Sequence, residues 1–115
     1  MEIQISERVI RVQVVTLSGR FDAFSAPDVR QQTQTLLAAG EKYFVLNLRD
    51  LAFMDSAAMA VLVSLLKGAR TAGGGVTLVK PKDENALRIL LLTKFDRVFK
   101  MVEDVDTAMR EVINV

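Results

Sequence analysis

The sequence predicts a single α/β domain over residues 1–115, a mixed, mostly parallel sheet with about four helices in the order ββαβαβαβα. Three observations predict it. Short apolar, partly β-branched runs such as FVLNL at 44–48 and VTLV at 76–79 alternate with longer segments rich in Ala and Leu. Helix start signals follow the apolar runs: Ser25-Ala26-Pro27, Asp55-Ser56, Asp83 and Asp104. Half of the 115 residues are hydrophobic, enough for one ordinary core.

In chain order, residues 3–5 and 9–17 alternate apolar with polar side chains, as two strands with Glu7 and Arg8 near a turn. Gly19 is expected to break the second strand before Asp22. A Ser25 cap with Pro27 in the first turn then opens a helix running to about Ala39, with Val29, Thr33, Leu36 and Leu37 inward and Gly40 ending it. The strand at 44–48 leads through Asp55 and Ser56 into a helix at 57–72, whose Ala, Leu and Met content favours that conformation. Its expected core stripe is Met59, Leu62, Val63, Leu66 and Ala69. The remaining faces, with Ala57, Ala60, Val61, Ser64 and Leu65, read as buried on a neighbour or as a small-residue docking surface. Gly73-Gly74-Gly75 ends this helix. A strand at 76–79, a helix capped by Asp83, a strand at 98–102 and a helix from Asp104 to about Ile113 complete the chain. Right-handed crossovers then place Asp22 and Ser56 on the same rim, beyond the carboxyl ends of parallel strands.

Composition excludes several function classes. Fifteen basic residues against fourteen acidic leave no long-range field toward nucleic acid or a membrane surface. Lys80, Lys82, Arg88, Lys94, Arg97 and Lys100 are interleaved with Asp83, Glu84 and Asp96, the pattern of a solvated face. There is no cysteine and no histidine, which fits a reducing cytoplasm and leaves no thiolate ligand. The opening MEIQISERV has no signal-peptide pattern, and the apolar run at 57–66 is too short to span a bilayer.

A hydroxyl at a helix start sits in the positive end of the macrodipole, a good place to carry a phosphate. As a catalytic nucleophile Ser56 would need a base. Lys67, eleven residues along the same helix, is about 16 Å away at 1.5 Å per residue. The glycine triplet follows a helix and precedes a strand, the reverse of a phosphate-cradling loop. Asp22, Asp50 and Asp55 do not make a receiver-type magnesium site, because the first strand offers only Glu7 where an acidic pair is needed. No catalytic, metal or cofactor residue is therefore assigned.

The string VLNLRDLAFMDSAAMAVLV at 45–63 and the segment Leu17-Ser18-Gly19-Arg20-Phe21-Asp22 together resemble the STAS family, specifically the bacterial anti-anti-sigma factors, over about residues 9–112. The resemblance implies a STAS-like fold and a cytoplasmic regulator without enzymatic activity, which binds an anti-sigma factor serine kinase and frees a sigma factor. It implies phosphorylation at Ser56 by that partner, reversal by a phosphatase, and partner contacts at Asp22, Asp55, Ala57, Ala58, Met59 and Ala60. The family's Gly-Leu-Gly is here Ala58-Met59-Ala60. Each alanine firms the helix start by about 1 kcal/mol over glycine and adds a methyl where a partner approaches. That departure keeps a second job open, a non-switching accessory subunit of a transporter ATPase or signalling scaffold.

Overall fold

Each strand of this chain is stopped by a short polar turn that opens a helix, and the alternation that results is regular. The computed structural model describes residues 1–114. Its elements are β1 (Gln13–Phe21), α1 (Ala26–Ala38), β2 (Tyr43–Met54), α2 (Ser56–Thr71), β3 (Gly75–Val79), α3 (Glu84–Leu92), a 3₁₀ turn (Phe95–Arg97), β4 (Lys100–Val102) and α4 (Val105–Val112). The strands lie in sequence order and every neighbouring pair is parallel.

Sequential strands joined by right-handed crossovers carry their connecting helices on one face. There Phe44, Leu46 and Leu48 of β2 and Leu78 of β3 pack with Leu62 and Leu66 of α2 and Leu90 of α3. Alternation along a strand sends the intervening residues to the other face. Val45 and Val79 meet Ala108 and Val112 of α4 there. Helix α2 is buried on two sides, by the sheet and by α1. Val61 and Leu65, expected outside the core stripe, are buried, and Met59 and Val63 are only partly so. Small residues let α1 come close: a Cβ on Gly68 would lie 2.7 Å from Leu37 Cδ1.

The α/β class and its four helices are as expected, with one strand fewer. Residues 3–5 form no strand, so the order is βαβαβαβα and the four-stranded sheet is wholly parallel rather than mixed. Ser6-Glu7-Arg8 contains none of the Gly, Asn or Pro that tight hairpin turns require, and nothing folds the segment back. Gly19 does not end β1. It takes φ +81° where the register with β2 shifts, and the strand runs on to Phe21. Strand β2 likewise extends to Met54, and β4 is shorter than expected because Phe95–Arg97 turns before it. The glycine triplet ends α2 as predicted. Gly73 adopts φ +87°, and a Cβ on Gly74 would fall 1.9 Å from the Lys42 carbonyl oxygen. Among the described residues no helix is long and apolar enough to cross a membrane, and no cluster of acidic side chains could hold a metal ion.

Candidate functional site

The extensions of β1 and β2 beyond the middle of the sheet bring their carboxyl ends together, with Phe21 opposite Met54. The Asp55 amide donates to the Phe21 carbonyl at 3.3 Å. Asp55 itself is the N-cap of α2. Its Oδ1 accepts from the amides of Ala57 and Ala58 at 2.9 and 3.1 Å. Its Oδ2 accepts from the Ala23 amide at 3.0 Å, across to the β1–α1 loop. One carboxylate thus starts a helix and fastens a second loop to it.

That second loop is fixed from within by Asp22. Its Oδ1 accepts from the amides of Phe24 and Ser25 at 3.0 and 3.2 Å, and Arg20 Nε stands 3.5 Å from Oδ2. The Arg20 guanidinium also lies over the Phe53 ring, 4.1 Å from its centroid. Burial works to raise the Asp22 pKa, but the Ser25 and Phe24 amides and then Arg20 outweigh it and hold the group below its ordinary 3.8. Ser25 occupies the cap position of α1 without capping it. Its Oγ instead donates to the Arg20 carbonyl at 2.9 Å and accepts from the Asp22 amide at 3.0 Å.

Because Asp55 takes the capping role, Ser56 stands at the first helical position with its side chain exposed to solvent. The same-rim expectation for Asp22 and Ser56 holds, since Asp55, next to Ser56, bonds the residue after Asp22. Ala57 and Met59 are partly exposed and Ala60 is exposed. Ala58 is the exception among the expected contact residues. At 0 % exposure it packs in the core and has no surface to offer a partner. Ser64 accepts from Arg30 Nη1 at 3.4 Å, so much of the small-residue side of α2 serves α1.

Sequence reasoning missed Phe24, which projects from the Asp22 loop at 96 % exposure. The available signal was an aromatic residue in a loop, outside any periodic apolar stripe. The rim thus combines two braced loops, an exposed hydroxyl beside a helix start capped by its neighbour, and a bare aromatic ring.

Comparison with known proteins bears on the family and the fold. Residues 1–108 match the STAS domain family. The chain belongs to the STAS family. A Thermotoga maritima protein named "Putative anti-sigma factor antagonist" is 37% identical to this STAS domain over 76 residues, 66% of each chain. The chain therefore spans just under two thirds of that relative's length. The crystal structure of an anti-sigma factor antagonist so described from the same organism superposes with a TM-score of 0.81 at 29% identity, covering 88% of this chain and 86% of that one. The Bacillus cell fate determinant SpoIIAA, solved in its phosphorylated form, shares the fold, with a TM-score of 0.70 at 17% identity over 95% of this chain and 97% of that one.

Proposed function

We propose that this STAS domain is an anti-sigma factor antagonist. Its Ser56 rim binds an anti-sigma factor of the serine kinase type in the cytoplasm, a sigma factor is freed, and phosphorylation of Ser56 switches the contact off. The observation that carries this reading is the exposed Ser56 hydroxyl at the start of α2, left uncommitted because Asp55 supplies the cap. Asp22, Asp55, Ala57, Met59 and Ala60 surround the contact; Asp22 and Asp55 act through the loops they hold. The role is binding, with no turnover by this chain.

Magnitudes decide what the phosphate does. It adds about −1.5 to −2 charges. In the free domain the helix start offsets these by about 0.3–1 kcal/mol, so the fold survives. At an interface the phosphate loses water beside the carboxylates of its own rim, Asp55 first and Asp22 beyond it. Two like charges about 6 Å apart at an effective dielectric near 20 repel by about 3 kcal/mol. That is more than a hundredfold in affinity. The interface effect exceeds the helix effect, which makes an off-switch that leaves the protein folded.

One observation favours the other job. Ala60 adds an exposed methyl where the family pattern has glycine, a surface suited to permanent docking in a transporter ATPase or scaffold. Incubation with ATP and candidate kinases separates the two. Phosphate mapped to Ser56 supports the switch and gives a phosphatase its substrate. Stable copurification with a transporter ATPase, indifferent to Ser56→Asp, supports the subunit and rules out the switch.

A further inference from the structure

Residues 1–12 carry a strand-like pattern with no strand to join. Ile3 is 74 % and Ile5 93 % exposed, and Val9 and Ile10 are also on the surface. No ladder forms before Gln13. The segment leaves the body as an arm: the molecule measures 60 × 27 × 21 Å, and its radius of gyration of 15.3 Å exceeds the about 13 Å of a compact chain this long. The base of the arm is anchored by Arg11 Nε to Glu41 Oε1 at 3.1 Å and by Val12 in the cluster under α4, and residues 8–10 run beside the turn at 39–43. Beyond that base residues 1–7 pair with no strand of the molecule's own sheet, and Ser6-Glu7-Arg8 has no turn residue to fold them back.

The same chain presents a complementary vacancy. Strand β1 is bonded only to β2, so its outer edge is an open row of backbone donors and acceptors. Natural edge strands are blunted by Lys, Pro, inward charge or bulges. The stretch QVVT at 13–16 has none of these, since the register shifts of β1 begin beyond Thr16. Val14 is exposed, and Val15 and Leu17 are only partly covered. An apolar alternating arm and an unprotected apolar edge, both on one chain and held apart within it, satisfy each other under a two-fold axis.

We propose that residues 1–12 of one copy add as a strand to the free edge of β1 in a second copy, and reciprocally, giving an arm-exchanged homodimer. The arm leaves at the amino end of β1, opposite the Asp22, Asp55 and Ser56 rim, so both rims stay open in the dimer. A partner with two such sites would then bind with avidity rather than singly.

The test is the solution mass of the full chain by light scattering and sedimentation across micromolar to millimolar concentration. Twice the 12.7 kDa chain mass is expected. The double substitution Ile3→Asp/Ile5→Asp should halve the observed mass and leave the melting temperature of the body unchanged, because both side chains are exposed. The chain has no cysteine, so Ile5→Cys accepts a single spin label. Mixed with isotope-labelled wild type, it should broaden the amide signals of Val14 to Leu17 in the other copy. A wild-type mass that stays monomeric, a dimer that survives the double substitution, or Val14 to Leu17 signals of the isotope-labelled copy that stay sharp would each overturn the proposal.

Discussion

The starts of α2 and α3 are built alike and used differently. Each is capped by an aspartate in extended backbone, and each cap accepts from the second and third helical amides, at 2.9 and 3.1 Å in both. Asp83 keeps its bonds within its own helix turn. Asp55 spends its other oxygen on Ala23, 32 residues away in sequence. The next residue differs as well, Glu84 in α3 against Ser56 in α2. Capping is therefore ordinary helix chemistry. What marks α2 is a cap that also holds a neighbouring loop, followed by a hydroxyl. Glu84 shows that this backbone position accommodates a negative charge in this fold, which is what a phosphorylated Ser56 requires.

The comparison can be broken by charge. Ser56→Asp should weaken binding to the proposed anti-sigma partner by at least tenfold, less than a phosphate does because its single charge sits on a shorter side chain and reaches less far into the interface. Glu84→Gln, the matched change at α3, should leave that affinity unaltered; titration calorimetry reads both. Removing the caps should separate the helix starts by stability. Asp83→Ala should cost about 1 kcal/mol, and Asp55→Ala about 2 kcal/mol because a loop tether goes with the cap. Denaturant midpoints at unchanged slope would show it. The asparagine pair is finer. Asn caps as well as Asp, so Asp83→Asn should be nearly neutral, while Asp55→Asn cannot accept from Ala23 and should cost about 1 kcal/mol. Equal costs for the two would dissolve the distinction.

Acidity gives the smallest effect. Asp22 and Asp104 both titrate below their ordinary 3.8. In Asp22 burial is outweighed by the Ser25 and Phe24 amides and Arg20; in Asp104 the leading cause is the Thr107 amide, which donates at 2.7 Å. A depressed carboxylate contributes stability that is present above its unfolded pKa and is lost as pH falls through the folded one. Stability should thus decline as pH drops below 3.8, and less steeply in Asp22→Asn and Asp104→Asn. Carboxyl chemical shifts followed by NMR should place both groups among the lowest titrating.

Local signals were legible in the sequence and distant pairings were not. The Asp83 cap, the glycine triplet and the 44–48 strand follow from neighbours within a few residues. The burial of Val61 and Leu65 depends on α1 lying across α2, and a single helix's periodicity carries no trace of a second covering element. The continuation of β2 through Arg49–Phe53 was hidden because its apolar run is interrupted there, and its partner, the far end of β1, looked broken at Gly19. At the site, the hydroxyl, both aspartates and their shared rim could be read from motif and topology. The Asp55 bond to Ala23 involves a backbone amide, which has no sequence signature at all, and the exposure of Phe24 is a property of the folded loop.

The central claim is that charge at Ser56 breaks an interface without disturbing the fold. Its most direct measurement is one sample examined twice: the chain with phosphoserine at position 56, titrated against the anti-sigma factor and then melted. The account predicts affinity at least a hundredfold weaker than that of the unmodified chain, with a melting temperature within a few degrees of it. Equal affinity, or a weakened interaction accompanied by loss of cooperative melting, would contradict it.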